Sequence, residues 1–192
     1  MLDVIIQGPI DYTLLRRFHQ DVVPRIEQSK QLNLYIDSAG GIVLLAMALA
    51  RFLSSLDNVW TYNIGTCDSA AILLFAAGKV RIVDEHGGTF FFHEVEKKLQ
   101  GCFTLSTLAK EIKQLQKDTQ LIAQFLAERT GQPNALWIHY MRLSKQIDGN
   151  TAHSLNLATH CNVGIKGNPL HRTLQASTLI TIRNCEQVPP RR

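Results

Sequence analysis

The 192-residue chain predicts an α/β fold with a mainly parallel sheet covered by helices. Three observations carry this. Short β-branched apolar runs alternate with apolar stripes at helical spacing along most of the chain. The runs end in Gly, Pro or Asp, and helical stripes stand between most of them, so mainly parallel pairing through crossovers is expected. The length suits one domain with a single core.

Val4–Gln7 reads as a strand closed by Gly8-Pro9. From Asp11, the residues Leu14, Leu15, Phe18, Val22 and Ile26 recur at helical spacing and predict one helix to about Gln28. Leu32–Ile36 is a buried strand that breaks at Asp37-Ser38-Ala39-Gly40-Gly41, before a helix over Val43–Ser55. Val59–Ile64 is the next strand, and Asp68-Ser69 caps a short apolar helix over Ala70–Ala77. Val80–Val83 and Thr89–Phe92 are strands flanking a turn at Glu85–Gly88. Leu105–Arg129 predicts a long helix with an apolar face, too long to serve the body alone, so self-association is expected. Thr130-Gly131-Gln132-Pro133 then separates it from a helix over Asn134–Lys145. A short helix near Thr151–Ala158 and a strand near Asn162–Ile165 end the compact part. We expect a domain over residues 1–165 and a basic, flexible tail over 166–192, with one strand at Thr178–Ile182.

Charge does not point to nucleic acid. Lys/Arg and Asp/Glu balance over residues 1–165, and the formal excess of +4 lies in the tail, in Lys166, Arg172, Arg183, Arg191 and Arg192 against Glu186. The four cysteines are far apart, without a Cys-x-x-Cys pair or a histidine cluster, so no metal, cofactor or disulfide framework is expected. The N-terminus lacks a signal-peptide pattern, and no apolar run reaches the roughly 18–20 residues of a membrane span. A cytoplasmic protein is expected.

The chemistry gathers at three strand ends: Asp37 to Gly41, Gly65 to Ala71, and His93 after the aromatic strand. In a parallel sheet, neighbouring strand ends meet at one crevice. A serine hydroxyl needs an adjacent base, which a histidine can supply, and backbone N–H groups must hold the tetrahedral oxyanion. Ser69 is the candidate nucleophile, His93 the base, and Gly41 and Ala70 the oxyanion donors. Each piece alone reads as a turn, a cap or a core histidine. Cys67 reads as a small buried residue, Asp68 as a helix cap, and Trp60 and Trp137 as core or interface anchors.

These segments resemble the ClpP family, the proteolytic subunit of the Clp protease. Leu34-Tyr35-Ile36-Asp37-Ser38-Ala39-Gly40-Gly41 is similar to the family's Leu-Tyr-Ile-Asn-Ser-Pro-Gly-Gly, and Gly65 to Gly78 to its Gly-x-Ala-Ala-Ser-Met-Gly-Ala segment. Gln100-Gly101 and Thr130-Gly131-Gln132 match further landmarks over about residues 3–165. The resemblance implies the ClpP/crotonase-like fold of repeated β-β-α units, a protruding handle helix, stacked homo-oligomeric rings, and a serine endopeptidase acting on peptides or unfolded protein segments.

Departures accompany it. The family's triad aspartate aligns on Ser144, within Arg142-Leu143-Ser144 where the family has Asp-Arg-Asp; Asp148 is the nearest carboxylate and the other candidate third member. Glu96-Lys97-Lys98-Leu99 replaces a glycine-rich strand. The chain opens on its first strand, without the hairpin of members that dock an unfolding ATPase, so an AAA+ partner is not counted among those expected. The alternatives are a catalytically silent scaffold or ring subunit and, third, a crotonase-type acyl-CoA enzyme.

Overall fold

The computed structural model describes residues 1–84, 88–163 and 179–183. Six strands make one sheet: β1 (Leu2–Gln7), β2 (Leu32–Ser38), β3 (Val59–Cys67), β4 (Val80–Asp84), β7 (His160–Val163) and β8 (Leu179–Arg183). Their order is β7-β4-β3-β2-β1-β8, and every pairing is parallel. The chain thus lays β1 to β4 side by side, adds β7 at that end, and returns to place β8 outside β1. Two-residue alternation sends Val4, Ile6, Leu34 and Ile36 into the main core. Ile5, Tyr35, Tyr62 and Ile82 go to the opposite face, where Tyr35 and Tyr62 stack with ring centroids 4.6 Å apart and Trp60 packs against them.

The predicted first helix is broken. It runs as α1 (Tyr12–Arg17), a π-helical turn over Phe18–Val22, and α2 (Val23–Ile26). Pro24 is the reason: it has no N–H and its ring obstructs the carbonyl four residues back, so it is accommodated in the first turn of a new helix. Leu14, Phe18 and Val22 still reach the core. α3 (Val43–Ser54) follows β2 and buries Ala46, Met47, Leu49, Ala50 and Leu53.

α4 (Ala71–Ala76) has no polar face at all, and each of its residues is buried. Its C-terminal carbonyls are met by two guanidinium groups. Arg129 donates to Ala76 O, Ala77 O and Gly78 O, while Arg81 donates to Gly78 O, Asn156 O and Leu157 O. Cations at this end satisfy orphan carbonyls and oppose the helix dipole. Burial, and then Arg129, pull the Arg81 guanidinium down to about 10.

α5 (Leu105–Thr130) is half body and half projection. Ile122, Ala123, Phe125 and Leu126 are buried, whereas Leu105, Leu108 and Ile112 are exposed. α6 (Asn134–Arg142) stops three residues before the predicted end, because Ser144 turns at φ +48°. That turn releases β6 (Gln146–Ile147) to pair antiparallel with β5 (Phe90–Phe91), a small second sheet absent from the sequence reading. The turn expected at Glu85–Gly88 lies outside the described residues except for Gly88, as does the tail except for β8. α7 (Gly149–Ser154) is shorter than read, since Leu155 and Asn156 already leave helical geometry, Asn156 at φ +56°.

Candidate active site

The site begins where β2 and β3 end. The Asp68 N–H donates to Ser38 O at 3.0 Å, which ties the second strand end to the first. Gly40 then passes against the serine turn: a Cβ there would lie 2.8 Å from the Ser69 Cβ and 3.0 Å from Ala70 N. Only glycine allows that approach, at φ +96°. Gly41, at φ +152°, bridges to Ile10, with Ile10 N–H on Gly40 O and Ile42 N–H on Ile10 O, both at 2.8 Å. This parallel bridge uses the Gly40 carbonyl and the Ile42 N–H, the groups on either side of Gly41, and leaves the Gly41 N–H itself out of the ladder.

Ser69 occupies the sharp turn from β3 into α4 at φ +53°, a left-handed conformation uncommon for a side-chain-bearing residue. Its N–H donates to Phe91 O at 2.8 Å. Ala71 and Ile72 N–H reach Asp68 O and Ser69 O. Among the described residues, Gly41 N–H and Ala70 N–H have no acceptor. Two unpaired donors thus stand on segments in contact beside Ser69, an arrangement that can hold an oxyanion.

His93 follows β5. Phe92, fully buried, anchors it: its N–H donates to Lys145 O at 2.8 Å and its ring stacks on Trp137 with centroids 5.6 Å apart. The His93 imidazole packs on Phe91 at 5.8 Å and is partly exposed. Its Nδ1 is 2.7 Å from Glu94 O. A carbonyl only accepts, so Nδ1 carries the proton and Nε2 has its lone pair free to take one. Ser69 and His93 line one crevice, closed on its other sides by Ile72, Val95, Ile122, Leu126 and Met141. The described contacts include no direct hydrogen bond between the two side chains, and such bonds tighten when substrate binds. Val95 also borders a larger groove with Glu94, Ile112, Leu115, Ile138 and Arg142.

The proposed third members are Ser144 and Asp148. The β5–β6 ladder ends at the Phe91–Gln146 pair, and Ser144 lies before it in the left-handed turn after α6, its N–H on Met141 O, with no described contact to His93. Asp148 does not join Ser69 and His93. It accepts the Thr151 N–H at 2.8 Å as N-cap of α7, and that bond holds its exposed carboxyl below the usual range. An N-cap four residues past the turn faces its own helix. The carboxylate recorded near Nδ1 is instead Glu96, at 3.9 Å and 84% exposed. Sequence spacing missed Glu94 O and Glu96, because both act in the irregular segment after β5.

Asp68 also departs from its reading. Ala70, not Asp68, is the N-cap of α4, and it caps with no side chain. The Asp68 carboxylate turns across to accept the Phe91 N–H at 2.8 Å. Burial raises its carboxyl, while this bond and His93 oppose the rise. Cys67 is fully buried; burial, then Asp68 and Asp37, push its thiol well up, so it is no rival nucleophile. Among the described residues no cluster of three His, Cys, Asp or Glu could hold a metal ion, and no helix is long and apolar enough to cross a membrane.

The backbone matches that of a ClpP1 point mutant from Listeria monocytogenes with a TM-score of 0.74 at 18% identity, covering 86% of this chain and 93% of that one. No relative matched among curated protein sequences. The family model for Clp protease matches residues 3–155, most of the chain, and on that match, with the fold in agreement, the chain belongs to the Clp protease family.

Proposed function

We propose that the chain is a serine endopeptidase of the ClpP type, cleaving peptides or unfolded protein segments. The observation that carries this is the meeting of Ser69, on its left-handed turn, with the unpaired N–H groups of Gly41 and Ala70 in a crevice shared with His93. Ser69 Oγ attacks the peptide carbonyl carbon as His93 Nε2 takes its proton. The carbonyl oxygen gains the negative charge and is held by Gly41 N–H and Ala70 N–H. Collapse breaks the C–N bond, and the imidazolium gives its proton to the leaving amine. Water, deprotonated by the same nitrogen, then hydrolyses the acyl-enzyme. Glu94 O keeps Nδ1 protonated throughout, and Ile72, Ile122, Leu126 and Met141 make the wall beside the reacting groups apolar.

Exposed Leu105, Leu108 and Ile112 on the projecting half of α5 support self-association, with a stacked ring as one form. Cys67, Cys102 and Cys161 are free thiols, which suits a reducing, cytoplasmic setting. A silent scaffold is the second reading, favoured by Ser144 at the position where the family's triad aspartate aligns.

A fluorophosphonate probe followed by mass spectrometry separates the two. Labelling of Ser69 that disappears in Ser69→Ala and His93→Ala supports the peptidase. An unlabelled protein, beside a control peptidase that reacts, favours the scaffold. Acyl-CoA turnover without labelling would support the crotonase-type reading instead.

A further inference from the structure

We infer that Asp68 is a positioning residue that fixes the distance between the nucleophile turn and the strand carrying the base. The inference rests on the peptidase reading and adds to it. Phe91 is held from both sides by one dipeptide: its N–H donates to Asp68 Oδ1 and its carbonyl accepts from Ser69 N–H, each at 2.8 Å. The two bonds close a ring between the Cys67–Ala70 turn and β5, two residues before His93. The strand pairing here is slight. β5 has two residues and pairs with only two in β6, and Thr66–Thr89 is an isolated bridge. A short strand with few partners needs another tether to hold a side chain in register.

The choice of side chain fits that task. Asp68 sits at the end of β3, where Cys67 N–H is already taken by Thr89 O and Asp68 N–H by Ser38 O. Its backbone is committed to the sheet, so only its side chain can reach Phe91 N–H, which β6 leaves unclaimed. The Phe91 and His93 rings lie in contact, so a shift of Phe91 moves the imidazole with it. An alanine at 68 leaves the Phe91 N–H without its acceptor; an asparagine keeps an oxygen in the same place.

Rate constants for fluorophosphonate labelling of Ser69 in the full chain test this, together with hydrogen exchange at the Phe91 amide. A misplacement of about 1 Å costs on the order of 10²-fold in rate. Asp68→Ala is expected to lose about that much with its thermal transition retained, and to exchange the Phe91 amide faster. Asp68→Asn is expected to stay within about threefold of wild type in rate, with Phe91 still protected. Asp68→Ala labelling at the wild-type rate overturns the inference, as does an Asp68→Asn variant that is slow while Phe91 stays protected, because charge would then be at work rather than the bond. Unchanged Phe91 exchange in Asp68→Ala overturns it on structural grounds alone. Wild-type protein that fails to label overturns the peptidase reading, and the catalytic purpose of Asp68 with it.

Discussion

The nucleophile side and the base side of this crevice are built by different means. Ser69, Ala70, Gly40 and Gly41 stand at the ends of long parallel strands, and nearly every backbone N–H around them is committed. His93 stands at the end of a two-residue strand, held by the burial of Phe92 and followed by an irregular segment with exposed Glu94 and Glu96. One half is fixed by the sheet, the other by a few side chains. It follows that the first half fails through backbone strain and the second through packing.

The largest effect is expected behind the base. Trp137 is fully buried against Phe92 and Tyr140. Trp137→Ala is expected to cost about 3–5 kcal/mol, read from denaturant unfolding; a loss under about 1 kcal/mol would mean that Phe92 needs no such backing. Gly40→Ala comes next, since its Cβ would drive into Asp68 O and Ser69 Cβ. Probe labelling should fall about 10²–10³-fold, comparable to losing an oxyanion donor, with a smaller change in stability.

Glu96→Gln sharpens the comparison from the other side. A carboxylate this exposed, 3.9 Å from Nδ1, is worth about 0.2–1 kcal/mol, so labelling should slow by about fivefold at most. A fall near 10⁴-fold would mean that Glu96 does the work of a full triad aspartate.

The smallest effects lie in pH dependence, where two carboxyls run in opposite senses. The folded-state value of Asp68 is raised, so between the ordinary carboxylate range and that higher value the native state holds more proton than the unfolded chain, and stability falls as pH rises through this window. Asp68→Asn removes that decline, which chemical denaturation at stepped pH would detect as a flatter curve. Asp148 is held low by its capping bond, so its contribution is present above the unfolded value and is lost as pH falls through the folded one. Asp148→Asn should flatten the acid side of the curve and leave labelling unchanged; slowed labelling would return Asp148 to the site.

The sheet-built half was the legible half. Val4–Gln7, Leu32–Ile36 and Val59–Ile64 read as strands because they are short runs rich in apolar and aromatic residues, and each is followed by turn residues that sequence displays directly. Gly40-Gly41 and Ser69 could be placed because backbone geometry is written in residue type. The base half resisted reading for the opposite reason. A pair of two-residue strands leaves no period to detect, and whether Asp68 turns toward α4 or toward Phe91 depends on a strand more than twenty residues away. The broken first helix was foreshadowed only by Pro24, inside an otherwise regular stripe.

The position of β8 has a kinetic consequence. β1 forms the start of the sheet, yet one of its edges is covered by a strand whose register joins Asp3 to Leu179 and Gln7 to Arg183. That closure spans nearly the whole polypeptide, so the loop entropy for it must be met last, after the β1–β4 array has collapsed. Until then the newly made protein carries a bare ladder of Val4, Ile5 and Ile6, and shortening the chain before residue 179 would make that transient sticky edge permanent.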